Sequence, residues 1–270
     1  MRPWQTLSLR LAREPAILLR VDEVQGSGPR EVGAWMAVTA TELINTIGGG
    51  QLEHEAAARA RAALVAGQVL TPRQRFALGP SLGQCCGGVV WLSFEWLDAS
   101  AIAGLAQRLG GQQDWRAVAL FGGGHVGRAI VELLARLPAR VHWVDSREGI
   151  FPEPLPDNVQ AEQSEPVQAA VADLAPGSRV LIMSFSHAED LDIVAACLQR
   201  QRERADLPFI GLIGSRSKWA SFRQRLVARG FGEAELAAVT CPIGIPGISG
   251  KQPEVVALAA VAQLMQDPPG

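Results

Sequence analysis

The sequence predicts an α/β protein: a C-terminal Rossmann-like, doubly wound parallel sheet, preceded by a smaller N-terminal α/β domain. Three observations carry this. From Trp115 onward, short apolar runs alternate with helix-length segments, the pattern of β-α units that lay strands parallel. A Gly-x-Gly-x-x-Gly segment, Gly122 to Gly127, stands between the first of those runs and the first helix. Before Asp98 the strand-like runs are joined instead by three glycine-rich loops, with one helix rich in Ala, Glu and Arg.

The chain has 270 residues, enough for one large or two ordinary domains. We read residues 1–98 as the first domain, 99–114 as a helix and linker, and 115–270 as the second. Trp4, Leu7, Leu9 and Leu11 interleave with Arg2, Arg10 and Arg13. That is an amphipathic helix start, not the apolar stretch of a signal peptide. Strands follow at Ala16–Val21, Ala34–Val38, Arg73–Leu78 and Val89–Phe94, with a helix at Gln51–Ala66. The loops between them are Gln25–Arg30, Asn45–Gly50 and Gly79–Gly88. A short helix, Ala99–Leu109, leads into the linker Gly110–Asp114. In the second part strands are expected at Ala117–Phe121, Val141–Asp145, Val159–Gln163, Arg179–Ser184 and Phe209–Ile213. Helices are expected at Val126–Leu137, Asp190–Arg204 and Ser217–Arg229.

Composition narrows the function classes. Hydrophobic residues make up 48%, enough for full cores, and the formal net charge is -2 with no basic arm or stripe, which argues against nucleic-acid binding. No apolar stretch is long enough to span a bilayer, the segment Pro253–Met265 included, so a cytoplasmic location and no membrane partner are expected. Four cysteines, Cys85, Cys86, Cys197 and Cys241, are too few for a secreted disulfide scaffold of this size.

The glycine fingerprint has the context that dinucleotide binding requires: a strand before it, a helix after it, and Asp145 at the end of the next strand. Gly122 permits the tight turn, Gly124 lets backbone approach a pyrophosphate, and Gly127 lets helix and strand pack closely. Asp145 can accept from a ribose and favours NAD over NADP, a preference that Arg147 blurs. The same glycines also serve packing alone, and fold does not give function. The chain has no tyrosine, which excludes the Tyr/Lys pair of short-chain dehydrogenases. His125 and His187 sit at carboxyl ends of strands, where open α/β sheets bind ligands; each is a ligand contact or a loop residue.

Other residues offer further chemistry, each with a plainer alternative. Cys85 and Cys86, next to Gln84 and flanked by Gly83, Gly87 and Gly88, suit a soft metal or a persulfide, or are two small buried residues. Gly48, Gly49 and Gly50 precede a helix and form an anion cradle or an ordinary turn. Ser215, Arg216 and Lys218 open a helix and either bind phosphate or lie on a solvated face. Cys197 reads as core.

Several segments together resemble one family, the xanthine dehydrogenase accessory proteins of the XdhC/CoxI type. They are Ile47-Gly-Gly-Gly-Gln-Leu-Glu53, Leu78-Gly-Pro-Ser-Leu-Gly-Gln-Cys-Cys-Gly-Gly88, Leu120-Phe-Gly-Gly-Gly-His-Val-Gly-Arg128, Val144-Asp-Ser-Arg147, Gly211-Leu-Ile-Gly-Ser-Arg-Ser-Lys218 and Cys241-Pro-Ile-Gly-Ile245. The resemblance implies a two-domain, dimeric protein that binds molybdenum cofactor, protects it while a sulfido ligand replaces an oxo ligand, and passes it to apo xanthine dehydrogenase. It implies a cysteine desulfurase as sulfur donor, Cys85 or Cys86 at the molybdenum, and no catalytic residue of its own. One departure stands out. Where the family often has Thr-His-Ser-His, this chain has Ser184-Phe-Ser-His187, which puts a two-histidine metal site there in doubt. Two other readings compete: an NAD(P)-dependent oxidoreductase, and a sulfurtransferase with Cys85 or Cys86 as persulfide carrier.

Overall fold

The computed structural model describes residues 2–78, 88–109 and 115–266. They form two compact units, residues 1–111 and 112–270.

The first unit runs α1 (Pro3–Leu11), β1 (Ala16–Gln25), β2 (Trp35–Val38), β3 (Leu43–Asn45), α2 (Gly50–Ala66), β4 (Arg73–Ala77), β5 (Val89–Leu97) and α3 (Ile102–Leu109). Its five strands form an antiparallel sheet in the order β3-β2-β1-β5-β4. β1 shows how the layers arise. Side chains alternate across a strand, so Ile17, Leu19 and Val21 point to α2 while Ala16 and Leu18 point to α1 and α3. The helix Ala99–Leu109, read from sequence as part of a connector, buries Leu105 and Leu109 in that second layer and so belongs to the first unit's core. α2 meets the sheet through Ala56, Ala57, Ala60 and Ala63, small enough for close approach, and ends at Gly67 in the left-handed conformation. β3 was not anticipated. Three residues with one buried side chain, Ile44, carry too little pattern to read.

The second unit runs β6 (Arg116–Phe121), α4 (His125–Leu134), β7 (Ala139–Asp145), β8 (Val159–Gln163), a 3-10 segment (Val167–Asp173), β9 (Arg179–Ile182), α5 (His187–Arg204), β10 (Phe209–Leu212), α6 (Arg216–Ala228), α7 (Glu233–Leu236), β11 (Val239–Thr240) and α8 (Pro253–Met265). All neighbours are parallel, in the order β11-β10-β9-β6-β7-β8. This is the doubly wound Rossmann order. β6 is buried on both faces, as central parallel strands are. Val118 and Leu120 pack towards α4 and α8, whereas Ala119 and Phe121 pack towards α5 and α6. Winding reverses between β6 and β9, and that switch point is where such sheets take ligands.

No helix among the described residues is long and apolar enough to cross a membrane.

Candidate functional site

The carboxyl edge of the parallel sheet is built around the β6–α4 turn. Gly122 has φ +128°, and a side chain there would meet the Met183 carbonyl across the switch point at 2.1 Å. Its own carbonyl accepts from the buried Trp143 indole at 2.9 Å. A side chain at Gly127 would strike that same carbonyl at 2.0 Å, so Gly127 sets how closely α4 approaches the strand. Gly124 differs: a Cβ there would meet nothing within 4 Å, so this turn opens to solvent. His125 is exposed at the first position of α4.

Asp145 ends β7 with only 2% of its surface exposed. Its Oδ2 accepts from the Gly123 N–H at 2.6 Å and from Arg147 Nη2 at 2.8 Å. Its Oδ1 accepts from the Arg147 N–H and Arg147 Nε, both at 2.9 Å. Burial alone would push this carboxyl up, but the Arg147 side chain and the two amides hold it below the usual carboxylate range. A carboxylate has about four acceptor positions, and all four are used. The ribose hydroxyl expected at Asp145 from the sequence finds no open acceptor in this arrangement. In the sequence Arg147 stands only as a charge that blurs a preference. The Asp-x-Arg spacing, which lets an arginine fold back on the aspartate two residues before it, was the available signal.

Next to the switch point, Asp190 organises the β9–α5 turn. Its Oδ1 accepts from the Ser184 N–H at 2.8 Å and Ser184 Oγ at 2.7 Å, and its Oδ2 from Lys218 Nζ at 2.6 Å. Lys218 Nζ also donates to the Ile213 carbonyl at 2.9 Å. Both side chains are largely buried, so Lys218 joins α6 to α5 rather than pointing a free ammonium at solvent. Ser215 caps α6 by accepting from the Lys218 N–H, and Arg216 is exposed beside it. His187 begins α5, three residues earlier than the sequence reading placed that helix, because Ser186 caps it by accepting from the Glu189 N–H. Its ring meets Phe222 edge-on. Cys241, half-buried near Lys218 and Asp190, has its thiol pushed up chiefly by burial.

In the first unit two of the glycine-rich loops meet at one end of the sheet, joined there by Gly88. A side chain at Gly48 would touch Pro29 at 2.5 Å, and one at Gly88 would touch the Ser27 carbonyl at 2.2 Å. The Leu78 N–H donates to the Gly88 carbonyl at 2.8 Å, pairing the two residues that flank the segment carrying Gln84, Cys85 and Cys86. Those three residues lie outside the described residues. The expected anion cradle at Gly48, Gly49 and Gly50 already holds an anion. Glu53 Oε2 accepts from the Ile47 and Gly49 N–H groups and from Thr46 Oγ1, at 3.0, 3.1 and 2.5 Å. Among the described residues no group of three or more His, Cys, Asp or Glu is placed to hold a metal ion.

The profile of the XdhC Rossmann domain matches residues 118–264, and that of the XdhC and CoxI family matches residues 9–76. A relative in Escherichia coli (strain K12), uncharacterized protein YqeB, is 25% identical over 257 residues, covering 93% of this chain and 43% of that protein. This chain therefore spans less than half of that relative's length. Among solved structures, one from Bacillus halodurans, described as a xanthine dehydrogenase, matches with TM-score 0.74 at 18% identity, over 98% of this chain and 95% of that one. At that identity the likeness is one of fold. A Rossmann-fold NAD(P)-binding family protein from Shigella flexneri matches 56% of this chain and 87% of its own, at 19% identity and TM-score 0.41. One profile spans more than half of the chain and the other most of the first unit's strands and its long helix, and on that ground the chain belongs to the XdhC/CoxI family.

Proposed function

We propose that this protein binds molybdenum cofactor as cargo, shelters it while a cysteine desulfurase supplies its sulfido sulfur, and delivers it to apo xanthine dehydrogenase. Family membership supports the broader statement, an accessory role in xanthine dehydrogenase maturation. The observation that carries the finer reading is the meeting of the loops around Ser27–Pro29, Gly48 and Gly88 at one end of the first sheet. The chain segment bearing Cys85 and Cys86 starts and ends there, at Leu78 and Gly88. Thiolate is the soft ligand that a molybdenum–sulfur centre or a sulfur relay needs. Glycine on both sides of the pair lets a bulky cofactor come close.

The alternative, an NAD(P)-dependent oxidoreductase, draws on Gly122, Gly124 and Gly127. It is the weaker reading because Asp145 is taken by Arg147.

Reconstitution tests the proposal. Apo xanthine dehydrogenase is incubated with cofactor, a cysteine desulfurase and cysteine, with and without this protein. We expect active, sulfurated enzyme to form at least several-fold faster with the wild-type protein, and the gain to be lost with Cys85→Ala/Cys86→Ala. Equal activation with and without the wild-type protein would remove the proposal.

A further inference from the structure

We propose that Arg147 is the specificity-determining residue of the Rossmann crevice, and that it keeps a ribose diol, and with it NAD, out of the switch point. The fingerprint's acidic residue works by accepting hydrogen bonds from the ribose. Here three of the four donors on Asp145 come from Arg147, one from its backbone and two from its guanidinium.

Two neighbours hold the guanidinium in place. It lies 4.6 Å from the centroid of Phe185, an aromatic ring left 65% exposed at the carboxyl end of β9. Glu189 adds a second negative charge nearby. One oxygen of that carboxylate accepts from Ser146 Oγ at 2.7 Å, while the other is buried without a partner among the described residues. Arg147 is therefore drawn by two carboxylates and supported by a ring. The same balance makes Arg147 a poor receptor for the 2′-phosphate of NADP, since its charge is already compensated. The glycine turn has kept its shape, with an open side at Gly124, yet the group beside it that should select the nucleotide is closed from within.

Removing the guanidinium should open it. NAD and NADP are titrated into the full-length protein by calorimetry, using wild type, Arg147→Ala and Arg147→Ala/Asp145→Asn. Even one charge-assisted hydrogen bond given up on binding is worth tenfold in affinity. We expect Arg147→Ala to bind NAD at least tenfold more tightly than wild type. The gain should not extend to NADP, because the uncovered Asp145 repels its phosphate, and it should vanish in the double variant. A gain below tenfold, including no binding by either protein, overturns the proposal, as does an equal gain for NADP. Circular dichroism checks folding. If Arg147→Ala does not fold, Arg147→Gln, which leaves one side-chain donor, carries the same comparison.

Discussion

Replacing Lys218 by Met separates a structural lysine from one that receives an anion. Lys218 Nζ lies 2.6 Å from Asp190 Oδ2, with the two side chains 11% and 3% exposed. Met has a similar length and no charge, so little cavity forms and the loss is mainly electrostatic. Breaking a buried ion pair from one side leaves the other charge uncompensated and costs ~3–5 kcal/mol. In a unit of this size each kcal/mol moves the melting temperature by about 2–4 °C. The expected fall in Tm is therefore roughly 6–20 °C, read by circular dichroism on the full chain. Adding Asp190→Asn should recover much of the loss. The amide oxygen still accepts from the Ser184 N–H and hydroxyl, and the stranded charge is gone. A Lys218→Met protein that melts within 2 °C of wild type, or a double variant no more stable than the single, would refute this reasoning and restore Lys218 as a free cation for a ligand.

Further outcomes follow from the same geometry. Gly127→Ala should destabilise the second unit by about 1–3 kcal/mol, the usual range for overpacking, since its Cβ would sit 2.0 Å from the Gly122 carbonyl; chemical denaturation measures it. Cys197 is wholly buried, and burial raises its thiol to about 12 against a small opposing effect of Arg200. It should therefore not react with a thiol reagent at pH 8 until the protein is unfolded. Asp145 is held below the usual carboxylate range, so its stabilising contribution is complete above its unfolded pKa of about 3.9 and is lost as pH falls through the lower folded value. Wild type and Asp145→Asn should accordingly differ at neutral pH and begin to converge only as pH falls below about 4, which urea titrations at several pH values will show. Glu53→Gln should loosen the Ile47–Gly49 turn, seen as faster amide exchange at Ile47 and Gly49, whose N–H groups now point at that carboxylate.

Much of this fold was legible because several strands, β1, β5 and β6 among them, carry long or largely apolar runs. Residues 118–121 form a continuous buried run, and the glycine turn after them has strict steric demands that few residues meet. That the second sheet is parallel followed from the β-α alternation, whereas the order of its strands is read from the structure. What escaped notice was short or relational. β3 and β11 have three and two residues and no period to read. The 3-10 segment at Val167–Asp173 has neither helical length nor a capping signal. Within the site, residue types were readable but their pairings were not. Asp145 was readable as an acceptor at the sheet's carboxyl edge, but its pairing with Arg147 was not. The glycines before α2 looked like an empty cradle until Glu53 was seen in it, and Lys218 looked like a surface cation until Asp190 was found opposite. Each polar group satisfied a neighbour close in space, and the neighbour's distance is not a property of the linear sequence.

The most direct test of the proposed function is equilibrium binding of molybdenum cofactor to the purified protein, with wild type measured beside Cys85→Ala and Cys86→Ala. Wild type should bind close to one cofactor per chain, with binding weakened at least tenfold by one or both substitutions. No cofactor bound by the wild-type protein, or unchanged binding when both cysteines are replaced together, would contradict it.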